Sequence, residues 1–192
     1  MKKLLVAAIA ILATIGASAQ VSFWDGNQPE KRLTWGVRAG MNLSSLGGDA
    51  ETDSKIGFKA GVSADINIVN SFAISTGLFY SMQGFEPKGD GDGMTAGYLN
   101  LPIYASYRLN FAEASQLQIN FGPYLAYGLH GDDHYFDMVK RFDMGLGVGA
   151  GYTLKRWFLG IDYQFGLMDI NDMGGDGTIK NNNFSVTIGY NF

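Results

Sequence analysis

Residues 55–68, Lys-Ile-Gly-Phe-Lys-Ala-Gly-Val-Ser-Ala-Asp-Ile-Asn-Ile, decide the fold. Ile56, Phe58, Ala60, Val62, Ala64, Ile66 and Ile68 alternate without a break against Lys55, Gly57, Lys59, Gly61, Ser63, Asp65 and Asn67. Side chains with period two stand on opposite faces of a β-strand, so one face of this strand is apolar and the other small and polar.

The same rule runs outward in both directions. Segments 33–43, 72–84, 97–109, 116–130, 141–154, 157–168 and 183–192 repeat it, with Phe79 as a misfit in the third strand. That makes eight strands. The stretches 44–54, 85–96, 131–140 and 169–182 are long, polar and rich in Gly, Asp and Asn, whereas 69–71, 110–115 and 155–156 are short. Long loops at one end and tight turns at the other describe an up-and-down antiparallel meander, with both termini on the short-turn side. Residues 20–32 lack periodicity and read as a flexible periplasmic lead-in.

Alternation alone does not say which face is outside, because a soluble lipocalin-like carrier has the same period with its apolar face inward. Three features favour lipid outside. The polar face is dominated by Gly, Ser, Asn and Gln, which suit the narrow interior of an eight-stranded barrel. On the apolar face Trp35, Phe72, Tyr80, Tyr107, Tyr127, Tyr152, Trp157, Phe184, Tyr190 and Phe192 lie toward strand ends, as membrane–water boundaries require. The last strand also ends on the apolar-face Phe192. The expected fold is an all-β, eight-stranded antiparallel transmembrane β-barrel over residues 33–192.

The charges expected inside are Arg38, Lys55, Lys59, Asp65, Arg108, Asp143 and Asp162. Strand direction sets Lys55, Lys59 and Asp143 toward the long-loop end, Arg38 and Asp162 near mid-height, and Asp65 and Arg108 toward the short turns. Opposite signs then share each level, and the set reads as a structural polar network rather than an ion pathway. Pro102 and Pro123 fall inside strands of a barrel that has no edge to accommodate them, so each is expected to mark a bulge or a missing ladder bond.

Residues 1–19 form a secretory signal: Lys2 and Lys3 precede the apolar run Leu4–Ile15, and Ala17-Ser18-Ala19 supplies the small residues of a cleavage site. Without the two signal lysines, 12 basic side chains face 18 acidic ones, a net charge of −6. An acidic chain with no basic run offers nothing to nucleic acid. The chain has no cysteine, which excludes disulfides, thiolate metal sites and cysteine nucleophiles. No catalytic, cofactor or metal residue is expected. The acidic, glycine-rich pieces 89–93, 132–133 and 174–177 lack the spaced carboxylates of a calcium loop and read as solvated. The only candidate general bases, His130 and His134, stand near Asp132, Asp133 and Ser81 in no recognisable motif.

Four stretches carry a resemblance: Trp35–Asn42 (WGVRAGMN), Tyr98–Ile103 (YLNLPI), Gly122–Leu125 (GPYL) and Phe142–Tyr152 (FDMGLGVGAGY). Through them residues 33–192 resemble the small outer-membrane β-barrel domain family that includes the PorT proteins, and more distantly the OmpA and OmpX barrels. Both prolines fall inside these stretches, which implies that such barrels tolerate them. The resemblance implies an outer-membrane location and says little of activity; PorT is linked to a secretion system, but no residue motif here carries that role across. The expectation is a non-enzymatic outer-membrane protein, structural or adhesive or accessory to an envelope or secretion assembly. Its long loops would be extracellular and its termini periplasmic. Its partners would be outer-membrane lipid, the barrel-assembly machinery through the strand ending at Phe192, and other envelope proteins. The alternatives are a lipid-modifying enzyme at the barrel rim, a lipocalin-like carrier and a passive pore.

Overall fold

A computed structural model describes residues 23–49, 52–87, 93–112, 114–132, 134–172 and 177–192. The proposed signal segment and most of the acidic loop residues (89–92, 133 and 174–176) lie outside them. Eight strands follow one another: β1 (Leu33–Gly48), β2 (Thr52–Val69), β3 (Phe72–Pro87), β4 (Met94–Ala112), β5 (Ser115–Gly131), β6 (Phe142–Leu154), β7 (Trp157–Gly166) and β8 (Ile179–Asn191). Each pairs antiparallel with the next, and β8 pairs with β1 to close the barrel. Closure leaves no edge strand, the condition a spanning sheet must meet where no water is present to satisfy backbone groups.

The alternation resolves into an inverted pattern. In β1, Trp35, Val37, Met41 and Leu43 are exposed, while Arg38, Asn42 and Ser44 are buried. The same holds in every strand, so the apolar face is outside and the polar face encloses the lumen. A soluble carrier would require the opposite arrangement, and that alternative is set aside.

The strands are longer than the sequence pattern indicates. The β1–β8, β2–β3 and β3–β4 ladders continue through residues assigned above to loops, and β8 begins at Ile179 rather than near Asn183. Past the apolar band the outward face turns polar while Leu46, Phe85 and Ile179 point inward, so the pairing persists although the alternating hydropathy signal has ended. The loop 131–140 also holds a single helical turn, α1 (Tyr135–Met138), which no periodicity announces.

The two prolines break the ladder without shifting it. Between β3 and β4 the pairing stops after Thr76↔Ile103 and resumes at Phe79↔Asn100 in the same register, leaving Pro102 in the gap. Between β4 and β5 it stops after Pro102↔Tyr124 and resumes at Ala105↔Phe121, with Pro123 in the gap. Both are missing pairs rather than bulges, as a residue without an N–H dictates. Thr76 Oγ1 donates to the Pro102 carbonyl at 2.8 Å and partly bridges the first gap.

Phe79 is not a misfit in space. It turns into the lumen with Tyr98, Tyr104, Tyr124 and Phe158, and all five are buried. The opposing glycines make room. A Cβ on Gly151 would lie 2.5 Å from the Phe158 ring, and one on Gly160 would lie 2.6 Å from it.

Candidate functional site

From the long-loop end, the lumen is first closed by an apolar cluster. Leu46, Phe85, Ala96, Tyr98, Tyr124, Ala126 and Ile179 from the strands meet Tyr135 of α1, Val139 and Ile170. Tyr135 packs on Phe85 and edge-on to Tyr98. Burial pushes its phenol up to about 12. The Asp169 carboxylate fastens the strand entry beside it by accepting the backbone N–H of Ile179 at 2.9 Å and that of Asn171 at 3.1 Å. These two bonds, Ile179 first, hold its pKa below the usual carboxylate value.

Beneath this cap, side chains of different strands bond to one another across the bore. Asn42 Nδ2 donates to Asn183 Oδ1 at 3.1 Å, Asn181 Nδ2 to Gln83 Oε1 at 2.7 Å, and Asn100 Nδ2 to Gln164 Oε1 at 3.0 Å. Gln164 Nε2 in turn donates to Tyr104 Oη at 2.8 Å. Bonds of this kind suit the interior of an eight-stranded barrel, which is just wide enough for side chains to fill.

The seven charges singled out above are all found on the enclosed side, but their partners differ from those assigned by height. Arg108 Nη2 stands 3.1 Å from Asp65 Oδ2, as that assignment has it. Lys59 Nζ meets Asp162 Oδ1 at 3.7 Å, not Asp143. Asp143 is fully buried, and its carboxylate accepts from Tyr124 Oη at 3.0 Å and Asn181 Nδ2 at 3.3 Å instead of from a cation. Arg38 lies 4.0 Å over the Phe158 ring and donates to the Val37 carbonyl at 3.3 Å. Lys55 donates to the Gly93 carbonyl at 2.8 Å. Strand tilt and shear displace neighbouring strands along the axis, so counting from a strand end misjudges height.

At the opposite end the lumen opens into a vestibule of about 780 Å³, bordered by Asp65, Asn67, Arg108, Gln116, Gln118 and Asn191. The lead-in Phe23–Arg32 has no strand but is fastened across the β2–β3 turn. Asp25 N–H donates to Ser71 Oγ, Ser71 N–H donates to the Asp25 carbonyl, and Asn67 N–H donates to the Arg32 carbonyl. Tyr107 Oη donates to the Phe23 carbonyl. The Asp25 carboxyl is held below its usual range by the Asn27 backbone N–H and the Asn70 side chain.

Outside, the rings expected at the boundaries lie toward strand ends, with Phe121 exposed between them. Toward the short turns stand Trp35, Phe72, Tyr107, Tyr152, Trp157, Tyr190 and Phe192; Trp35 stacks on Phe192 at 4.3 Å, and Trp157 meets Tyr190 edge-on at 5.4 Å. Toward the loops stand Tyr80, Tyr127 and Phe184. The outward stripe of β3 from Phe72 to Met82 spans roughly 25 Å along the axis once strand tilt is allowed for.

The conceivable catalytic group is not assembled. Ser81 is fully buried and accepts from Asn42 and Gln83 inside the lumen. His130 Nε2 lies 2.9 Å from Tyr80 Oη on the outer side. No cluster of three or more metal-ligating side chains occurs among the described residues.

A closed sheet, greasy outside and polar within, ringed by aromatics, defines an integral outer-membrane β-barrel. The chain belongs to the outer membrane protein beta-barrel domain family, whose sequence profile matches residues 18–172. Among solved structures it is similar to Ail, the attachment invasion locus protein of Yersinia pestis, crystallised with the heparin analogue sucrose octasulfate. The identity is 15%, covering 84% of this chain and 100% of that one, with a TM-score of 0.47. It is also similar to OprG of Pseudomonas aeruginosa (12% identity, 86% and 99% covered, TM-score 0.48) and to Neisserial surface protein A (15%, 82% and 97%, TM-score 0.46). No curated protein matches it significantly.

Proposed function

We propose that this chain is a non-enzymatic outer-membrane protein, exported by residues 1–19 and acting as a structural or adhesive element or as an accessory of an envelope or secretion assembly. In this reading the long loops face outward and the vestibule faces the periplasm. The aromatic levels anchor the two membrane boundaries, and the lumen charges serve structure. The strand ending at Phe192 hands the chain to the barrel-assembly machinery. The observation that carries the reading is the apolar cap over cross-bonded amides, an arrangement that suits a body that presents surfaces, not a conduit. The separation of Ser81 from His130 by the barrel wall argues in the same direction against a rim enzyme.

Two measurements test it. In planar bilayers the purified protein is expected to give no ion conductance, and steady single-channel steps would contradict the closed-body reading. Cells carrying His130→Ala with His134→Ala are expected to keep unaltered lipid A and phospholipid; a changed lipid profile would establish the enzyme instead.

A further inference from the structure

We propose that Arg38 forms the core of a binding site for one small monovalent anion of halide size, enclosed at mid-lumen and reached from the short-turn vestibule. A second cavity, of about 90 Å³, lies deeper in the barrel and is bordered by Arg38, Lys59, Ser75, Asn120, Asp162 and Thr187. Asp65 and Gln118 line both this cavity and the vestibule, so the two spaces adjoin.

The charges around the cavity do not balance. Lys59 is matched by Asp162, and Arg108 by Asp65. Arg38 is left over, with only 7% of its surface exposed. Its hydrogen bond goes to a neutral carbonyl, and its guanidinium lies flat on Phe158. Asp65 acts on it only while also serving Arg108. The remaining buried carboxylate, Asp143, does not border the cavity and is engaged with Tyr124 and Asn181. Arg38 and Lys59 border the cavity together with Asp65 and Asp162, and Asp65 is already taken up by Arg108 from the vestibule side, which leaves one cation over. A guanidinium cannot shed its proton to relieve the excess, and a buried, uncompensated charge is costly. One negative charge restores balance.

Size and donors agree. A water molecule takes about 30 Å³, so the space admits a halide with a water or two; a divalent oxyanion would overshoot the charge by one. Ser75 Oγ is buried without a partner, and the Asn120 amide and Thr187 hydroxyl line the same space. The guanidinium is also seated by its walls, since a Cβ on Gly36 or Gly189 would fall 2.9 or 2.7 Å from Arg38 Nη1.

The test uses the full chain refolded in detergent. Crystals grown in sodium bromide are expected to show an anomalous peak in this cavity, beside the Arg38 guanidinium. The melting midpoint is expected to be higher in chloride or bromide than in gluconate at equal ionic strength. Arg38→Gln should lose both the peak and the increment, while His130→Ala keeps them. No peak in the wild-type cavity overturns the proposal. So does a peak that persists in Arg38→Gln, which would be an adventitious ion only. If Arg38→Gln does not refold, the wild-type bromide map and the halide increment decide.

Discussion

Phe158 shows how side chains divide the lumen between them. Its ring lies between Gly151 and Gly160 and carries Arg38 on its face. Gly151→Ala is expected to lower stability by about 1–3 kcal/mol through overpacking, read from urea unfolding in vesicles, and Phe158→Leu in the same chain should recover part of it. The Lys59–Asp162 pair invites a second test. Lys59→Met strands a buried carboxylate and is expected to cost about 3–5 kcal/mol, whereas Lys59→Met with Asp162→Asn should cost less than the single change. A double loss equal to the sum of the Lys59→Met and Asp162→Asn losses would show that the pair is not coupled. At this scale the sequence is only partly legible. Alternation assigns Lys59, Asp162 and Arg38 to the enclosed face, because facing depends on parity alone. Which cation meets which carboxylate depends on strand tilt, and the role of Phe158 depends on the empty space opposite it; neither is visible along one chain.

Among elements, the apolar stripe of β3 is the clearest case. Leu78 points outward near the middle of Phe72–Met82. Leu78→Arg is expected to destabilise the barrel by about 2–4 kcal/mol in bilayers, and no loss in the same unfolding assay would mean that this position does not face acyl chains. The entry to β8 depends on Asp169, an exposed carboxylate bonded to two backbone N–H groups. Its folded pKa lies below its unfolded one. Its contribution is therefore complete above the unfolded value near 4 and is lost as pH falls through the folded value. Amide exchange at Ile179 and Asn171, corrected for the intrinsic pH dependence, should speed up at the acid end in the wild type and be already fast, without that transition, in Asp169→Ala. Strand centres were legible because lipid and lumen impose opposite chemistries there. Strand ends above the apolar band and the α1 turn were not, since the outward face there turns polar and their inward burial comes from residues distant in sequence, such as Ile170 and Phe85.

At the scale of the molecule, closure by β1 and β8, an apolar exterior and an apolar cluster in the lumen at the long-loop end follow from a single orientation of the sheet. The three tryptophans, Trp24, Trp35 and Trp157, all lie at the short-turn end. Depth-graded brominated lipids are therefore expected to quench the emission of Trp35 and Trp157 most strongly at the headgroup boundary and weakly at the bilayer centre. The orientation itself is tested most directly in β2, because the chain has no cysteine to interfere. Single cysteines placed in turn from Ala60 to Ile66 can carry spin labels in the reconstituted protein. Collisions with oxygen, which concentrates in lipid, should peak at positions 60, 62, 64 and 66 and dip at 61, 63 and 65. A water-soluble nickel relaxer should give low values at the even positions. Even-numbered labels that are open to nickel and shielded from oxygen would contradict the account.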